Sequence, residues 1–277
     1  MRIDAHQHFW RLARGDYGWL TPDDHPAIYR DFTPDDLAPL LAAVGVERTI
    51  LVQAAPSLAE TEFLLEVATA TPFVAGVVGW TDLEAPNARA TIEALSRNPK
   101  LLGLRPMLQD LNDDAWILRA SITPALDAMK DASLTFDALV KPRHLGNLGK
   151  LIDARPDLRI AIDHGAKPDI SGAFGTEAWA SQMRAIGRNS AAFCKLSGLV
   201  TEARMDWRPD DLRPYVDVLL EAFGPSRLMW GSDWPVVNEA GGYAAWHSAA
   251  HALTETCSTE ERDLIFGRTA QHFYCLQ

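Results

Sequence analysis

At 277 residues, of which 47% are hydrophobic and 23% charged, the chain is long enough to bury a large core. Its net charge of -11 argues against nucleic acids and anionic membranes as partners, because both attract basic patches. The sequence contains no run of about 18 apolar residues, which excludes a transmembrane helix.

The cysteines are scattered along the chain. Cys194, Cys257 and Cys275 form no CxxC pair, so neither a disulfide framework nor a structural zinc site is expected. The first residues lead directly into a strand pattern, which leaves no room for a secretory signal. We therefore expect a cytoplasmic protein whose thiols stay reduced.

Eight short segments rich in aliphatic residues are predicted to be strands. Most of them are continuous apolar runs, which is typical of a parallel sheet that is buried on both faces. They are Ile3–His8, Thr49–Ala54, Phe73–Trp80, Leu101–Pro106, Leu134–Lys141, Arg159–His164, Ala192–Ser197 and Leu228–Asp233.

Helices are predicted between these strands. The clearest has Thr33 as its N-cap, Pro34 as its first residue and Gly45 at its C-terminal end. A capping box that begins at Ser258 predicts a helix through Phe266 near the end of the chain. Further helices are predicted over Glu62–Thr71, Ala88–Ser96, Leu145–Ala154, Trp179–Gly187 and Leu212–Phe223.

The alternation of strands and helices predicts an α/β fold. Eight such repeats favour a single-domain (β/α)8 TIM barrel over residues 1–277, a fold that commonly uses about 250 residues. A doubly wound open sheet alternates in the same way and is the alternative. The number of strands distinguishes the two folds.

The first predicted strand ends with His6 and His8. Residues two apart on a strand point to the same side, so both imidazoles are predicted to face the barrel interior and to meet at one ion or substrate. They lie at the strand's carboxyl end, where barrels of this kind hold their active sites. The alternative is that one or both are hydrogen-bonded core histidines.

The last predicted strand ends with Asp233. A carboxylate at this position can bind a metal ion or accept a proton from an attacking water molecule. The alternative is a structural role, in which Asp233 caps the proline-containing turn that follows. The combination with His6 and His8 favours the chemical role.

Other strand ends also supply polar side chains. His164 ends the sixth predicted strand, Arg105 lies at the end of the fourth, and His144 follows the fifth. Each has a local structural alternative, but convergence of this kind is how barrels assemble their sites. Two long connections, which contain Trp19 and Trp207, either line a pocket or pack on helices.

Several enzyme classes are excluded by missing motifs. The sequence has no GxGxxG motif between a strand and a helix, no GxxxxGK[ST] motif and no GxSxG serine elbow. Nucleotide cofactors and hydrolysis by a serine triad are therefore not expected.

Together these motifs resemble those of the amidohydrolase superfamily, and specifically its amidohydrolase-2 branch. Within that branch the chain is most similar to the sugar-lactonase group, which includes L-fucono-1,5-lactonases and L-rhamnono-lactonases. The segments that carry the resemblance are Ile3–Trp10 (IDAHQHFW), Gly103–Arg105 (GLR), Ile162–Pro168 (IDHGAKP), Trp230–Pro235 (WGSDWP) and Phe266–Tyr274 (FGRTAQHFY).

The resemblance implies a ligand set for a metal ion. His6 and His8 match the family's strand-one pair, and His164 and Asp233 match its strand-six histidine and strand-eight acid. Members with two metal ions carry a carboxylated lysine or a glutamate at the fourth strand, where this chain has Arg105, which cannot bridge two cations. At most one divalent ion of the zinc type is expected, near His6, His8 and Asp233. Whether it is required stays open, because the group includes enzymes that work without one.

The implied reaction is hydrolysis of a small-molecule sugar lactone. Asp233 is expected to act as the general base, while Arg105 and a histidine, or one metal ion, polarise the carbonyl. His164 is expected to stabilise the oxyanion or to assist departure of the ring oxygen. Substrate contacts are predicted for His144, Trp19 and Trp207.

Two other functions are compatible with the same residues. One is a metal-dependent decarboxylase of the amidohydrolase-2 branch, and the other is a barrel that binds a sugar acid without catalysis. The sequence does not specify the sugar, the ring size, the metal's identity or the oligomeric state.

Overall fold

A computed structural model describes residues 1–170 and 176–277. Its eight strands form one parallel sheet in the order β1 to β8, so each strand pairs with the next one along the chain. The strands are β1 Ile3–Gln7, β2 Arg48–Val52, β3 Val74–Gly79, β4 Leu101–Leu104, β5 Thr135–Ala138, β6 Ile160–Ile162, β7 Phe193–Leu196 and β8 Leu228–Trp230.

The sheet closes between its first and last strands. Just beyond β8, the amide of Asp233 donates to the carbonyl of His6 at 2.8 Å, and the amide of His8 donates to the carbonyl of Trp234 at 2.7 Å. The predicted (β/α)8 barrel is therefore confirmed, and the open sheet is not the fold.

The helices surround the barrel. Those described are α1 Pro34–Val44, α2 Leu58–Ala70, α3 Ala88–Leu95, α4 Thr123–Asp131, α5 Leu145–Ala154, α6 Thr176–Asn189, α7 Pro209–Phe223, α8 Tyr243–Leu253, α9 Thr259–Asp263 and α10 Thr269–Phe273. The sequence does not predict α4 and α8. Both follow residues without a polar side chain, Ile122 and Gly242, so the capping signal used for the other helices is missing there.

The capping predictions have two outcomes. Thr33 and Gly45 flank α1 as predicted, with a capping box between Thr33 and Asp36. The Ser258 capping box is also present, and the chain is helical through Phe266 as predicted, although not as one regular α-helix. Regular α-helix stops at Asp263, and a π turn over Leu264–Arg268 leads into α10.

The predicted strands extend too far at their carboxyl ends. The prediction continued β6 to His164 and β8 to Asp233, whereas the paired segments stop at Ile162 and Trp230. Both His164 and Asp233 have positive φ angles, 54° and 57°, which is incompatible with extended strand. The chain leaves the sheet where its polar side chains begin.

The core has two parts. The larger cluster lies between the sheet and the helices, and its buried members include one residue from each of eight helices: Leu37, Leu64, Ile92, Met129, Leu148, Trp179, Val216 and Trp246. The smaller cluster joins side chains of β1, β2, β3, β6 and β8 to Phe273 and Tyr274. Because β3 and β6 lie far apart around the sheet, their side chains meet through the barrel interior.

Among the helices of residues 1–170 and 176–277, none combines the length and apolarity needed to span a bilayer.

Candidate active site

Three imidazoles and one carboxylate meet at the carboxyl end of the barrel. Oδ1 of Asp233 lies 3.2 Å from Nε2 of His8, 3.7 Å from Nε2 of His6 and 3.9 Å from Nε2 of His164. The Nε2 atoms of His6 and His8 are 3.2 Å apart. All four side chains are buried, so the convergence that the sequence predicted is present.

Unusual backbone conformations aim two of these side chains. His164 and Asp233 both lie in the left-handed region, where a non-glycine residue is strained. Glycines make room for His164 and His6. A Cβ atom on Gly198 would lie 2.4 Å from Nδ1 of His164, and one on Gly231 would lie 2.7 Å from Cβ of His6. Strain of this kind is concentrated at functional sites.

Asp4 ties the two ends of the sheet together beneath the site. Its Oδ1 accepts hydrogen bonds from the amides of Ser232, at 2.8 Å, and His6, at 3.2 Å, and its Oδ2 accepts from the hydroxyl of Tyr243. Burial raises the pKa of Asp4 to about 6. Because one carboxylate holds both segments, the positions of His6 and Asp233 are coupled.

Hydrogen bonds orient His8 and His164. Nδ1 of His8 donates a hydrogen bond to the carbonyl oxygen of Val52 at 2.7 Å, which leaves the lone pair on Nε2. Nδ1 of His164 lies 2.9 Å from Oγ of Ser197. Both rings therefore present Nε2 towards Asp233.

Arg105 reaches the same centre from the end of β4. Its guanidinium donates to the carbonyl of Gln53, ion-pairs with Oδ2 of Asp163 at 3.4 Å and lies 3.5 Å from Nε2 of His6. The side chain is 4% exposed, so its charge acts in a largely dry environment. A fixed positive charge therefore stands beside the imidazoles.

A charged network that the sequence interpretation missed lies below the imidazoles. Nζ of Lys195, on β7, is 2.5 Å from Oδ2 of Asp137 and 2.9 Å from Oδ1 of Asp163, and all three side chains are fully buried. Tyr274 donates to Oδ2 of Asp137 at 2.7 Å. The available signal was a lysine and an aspartate in the middle of two strands predicted to be buried, since such residues are rarely buried unless they are paired.

The imidazoles control the charge on Asp233. Burial alone would raise its pKa, but the neighbouring His164, His8 and His6 outweigh burial and hold the pKa well below its usual range. Burial lowers the pKa of His164 to about 4, although Asp233 opposes this shift. Burial and Lys195 lower the pKa of His6 as well. At neutral pH the centre therefore holds an ionised carboxylate beside neutral His6 and His164.

Charge pairing determines the protonation states of Asp163 and Lys195 in the buried charged network. Burial opposes ionisation of Asp163, but Lys195 and His6 hold its pKa well below the usual range. The pKa of Lys195 is raised despite burial, because Asp137 and Asp163 both stabilise the ammonium. Lys195 is thus a permanent cation inside the barrel.

A cavity of about 370 Å³ opens above this centre. His8, Arg105, His164 and Asp233 line its floor, and Trp19 lies on its wall, held by a 2.8 Å hydrogen bond from Nε1 to the carbonyl of Ala54. The other lining residues are His25, Ala54, Met107, Gln109, Asp110, Leu139, Lys167, Thr201, Glu202, Val236 and Glu239. The volume suits a small polar molecule.

Two predicted substrate contacts lie outside this lining. Within residues 1–170 and 176–277, the cavity wall includes neither His144 nor Trp207. His144 accepts a hydrogen bond from the Lys141 amide and lies 3.3 Å from Asp114, while Nε1 of Trp207 donates to the carbonyl of Ala240. These local contacts hold both rings away from the centre, so the structure does not bring them into the site.

Comparison with known proteins identifies the family. Residues 3–276 match the amidohydrolase family Amidohydro_2. The chain belongs to this family. It is 50% identical to an L-fucono-1,5-lactonase of Burkholderia ambifaria, with 99% of this chain and 95% of that protein covered. An L-fucono-1,5-lactonase of Burkholderia multivorans is 39% identical, with 100% and 96% covered.

A solved relative carries a metal ion. The crystal structure of a Burkholderia multivorans amidohydrolase with bound zinc has a TM-score of 0.93 and 37% identity to this amidohydrolase, and the match covers 100% of both chains. The architecture and the family assignment therefore agree.

The donor set of this amidohydrolase fits one zinc-type ion. His6, His8 and Asp233 place one ligand atom each within 4.8 Å of one another. Their separations of 3.2 to 3.7 Å are close to the edge of about 3.3 Å expected for a tetrahedron with Zn–N bonds of about 2.0 Å. A second group, His6, Asp163 and His164, also places its ligand atoms within 4.8 Å of one another, but it shares His6 with the first group. Its carboxylate, Asp163, already pairs with Arg105 and Lys195.

Proposed function

We propose that this amidohydrolase hydrolyses a sugar lactone, with L-fucono-1,5-lactone as the expected substrate, to the open-chain aldonic acid. The observation that carries the proposal is the ionised Asp233 carboxylate at the floor of a small cavity that Arg105 and His164 also line. The two related L-fucono-1,5-lactonases supply the substrate class.

In the proposed mechanism, Asp233 acts as the general base. As water forms a bond to the lactone carbonyl carbon, it passes one proton to the Asp233 carboxylate. When the tetrahedral intermediate collapses, the bond between that carbon and the ring oxygen breaks. The ring oxygen takes the proton back from Asp233, which yields the aldonic acid and restores the carboxylate.

Arg105 and His164 are proposed to stabilise the oxyanion. The Arg105 guanidinium supplies fixed positive charge in a site that is mostly closed to water. The neutral His164, whose Nδ1 is paired with Ser197, can donate a hydrogen bond from Nε2. Both groups are held in place before the substrate binds, so little reorganisation is needed as charge develops.

One divalent ion held by His6, His8 and Asp233 would polarise the carbonyl and lower the pKa of a bound water molecule. Arg105 and His164 face the same cavity and do not depend on that ion for their positions. We therefore propose that the ion is optional.

Trp19 is proposed to pack against the sugar ring, since its indole forms part of the cavity wall. The proposed partner is a small lactone, and a cytoplasmic location stays a prediction.

The test is a panel of six-carbon aldonolactones assayed with and without a chelator, with spontaneous hydrolysis subtracted. We expect the highest kcat/KM on L-fucono-1,5-lactone, and turnover that survives removal of metal. Release of carbon dioxide from an aromatic acid, without lactone hydrolysis, would support a decarboxylase instead. Tight binding of an aldonic acid without any turnover would support a barrel that only binds its ligand.

A further inference from the structure

Lys195 connects the buried charged network to the candidate active site. In addition to Asp137 and Asp163, its Nζ contacts Nδ1 of His6 at 3.1 Å. An ammonium group has three donors and no acceptor. Its three near neighbours therefore all face a donor.

This contact determines which nitrogen of His6 carries the proton. A neutral imidazole has one N–H group, and the nitrogen that faces an ammonium has to accept. The other polar neighbour of Nδ1 is Oδ1 of Asp163 at 3.6 Å, which is beyond hydrogen-bond distance. A proton on Nδ1 would thus point at a cation without an acceptor in reach.

We propose that Lys195 is a positioning residue that holds His6 in the tautomer protonated on Nε2, so that His6 enters the site as a hydrogen-bond donor. Nε2 of His6 faces the lone pair on Nε2 of His8, an acceptor within hydrogen-bond distance at 3.2 Å. The Arg105 guanidinium lies 3.5 Å from the same Nε2, farther than Lys195 lies from Nδ1. The role in catalysis rests on the proposed lactone hydrolysis, where this N–H group, below the cavity floor, fixes the orientation of His8 beside Asp233, the proposed general base.

The same tautomer affects metal binding. To bind an ion through Nε2, His6 has to move its proton to Nδ1, and the ammonium of Lys195 opposes that move. Lys195 therefore weakens one of the ligands in the set of His6, His8 and Asp233. It favours a site that works through hydrogen bonds and binds zinc weakly.

The first test reads the tautomer in the unaltered protein. Nitrogen-15 spectra of protein labelled at histidine, with His6 assigned by comparison with His6→Gln, distinguish a protonated ring nitrogen from an unprotonated one. We expect His6 to be protonated on Nε2 and unprotonated on Nδ1 at neutral pH. A proton on Nδ1 would overturn the proposal.

The second test removes the ammonium. Lys195→Met alone leaves the buried carboxylate of Asp137 without its cation, whereas Asp163 keeps its ion pair with Arg105. The double variant Lys195→Met/Asp137→Asn therefore removes one charge of each sign. Asp163 can then accept a hydrogen bond from a proton on Nδ1 of His6. We expect the His6 proton to move to Nδ1, zinc affinity measured by calorimetry to rise at least about tenfold, and kcat without metal to fall roughly 10–100-fold with KM little changed.

The matched control is Cys194→Ala. Cys194 is the buried neighbour of Lys195 on β7 and packs in the larger core cluster, on the opposite face of the strand. It should keep the tautomer and the zinc affinity. An unchanged tautomer in the double variant would contradict the role of Lys195. If the unaltered protein hydrolyses no lactone, the proposed function fails, whereas the tautomer and the zinc affinity still test Lys195.

Discussion

Histidines gather at both ends of this barrel, but their surroundings differ. At the carboxyl end, His6, His8 and His164 surround the carboxylate of Asp233 below a cavity. At the opposite end, His247 and His251 lie one turn apart on α8, with ring centroids 4.6 Å apart. There His251 stacks on Phe266 at 4.0 Å.

The comparison separates the effect of burial on a histidine pKa from the effect of a neighbouring carboxylate. Burial lowers the pKa of His247 to about 4, as it does for His164. The Nε2 atoms of His247 and His251 are buried, and neither has a hydrogen-bond partner among the residues that the structure describes. Arg2 lowers the pKa of both rings further. Imidazoles whose pKa is lowered by burial are thus common to both ends, whereas a carboxylate in contact with the rings sets the carboxyl end apart.

The largest effect is expected from Asp233→Asn. The amide cannot accept the proton of water, so kcat should fall roughly 10²–10⁴-fold, the usual contribution of a general base. Steady-state lactone hydrolysis measures it. The matched control at the other end is His251→Gln, which should keep kcat. If Asp233→Asn retained turnover, Asp233 would not be the general base.

Arg105→Lys should give the next largest effect. Lysine keeps the charge but cannot reproduce the planar fork that contacts Gln53 and Asp163, so kcat should fall by roughly 10²-fold, as for the loss of an oxyanion donor. Arg143→Lys is the control, because Arg143 is exposed and bonded to Asp114. Equal rates for the two variants would show that only charge is needed at Arg105.

The sequence was most informative where a polar residue directly follows an apolar strand. His6, His8, His164, Asp233 and Arg105 all do so, and a barrel brings the carboxyl ends of its strands to one face, so their convergence was predictable. The positive φ angles of His164 and Asp233 were not predictable, because they depend on contacts with neighbouring segments.

Residues within strands and loops were harder to interpret. Lys195 and Asp137 lie inside strands, and their pairing follows from the barrel interior rather than from spacing along the chain. The positions of Trp19 and Trp207 depend on loop paths that strand order leaves open. Of these two tryptophans, the structure places Trp19 in the cavity wall.

A smaller effect is expected from Trp19→Leu. Loss of the aromatic face should raise KM about 3–10-fold with kcat nearly unchanged, which corresponds to the usual energy of an aromatic contact. Trp207→Leu is the matched control and should leave KM unaltered, because Trp207 is bonded to Ala240 outside the cavity wall. If Trp207→Leu raised KM and Trp19→Leu did not, the assignment of the cavity as the substrate site would be wrong.

The smallest effect concerns the imidazoles at the amino end. The pKa of His247 is lowered to about 4 from an ordinary value of about 6.5, so between these two pH values the unfolded chain binds more protons than the folded protein. Stability should therefore be lost as the pH falls through this range.

His247→Phe removes this contribution while keeping a ring against Trp230, which lies 5.2 Å away. The decrease in Tm between about pH 7.5 and about pH 5 should then be smaller than in the unaltered protein, by about 2 °C. His164 and His6 titrate in the same direction in both proteins, so the difference isolates His247. An equal decrease in both proteins would show that His247 does not contribute to the acid sensitivity.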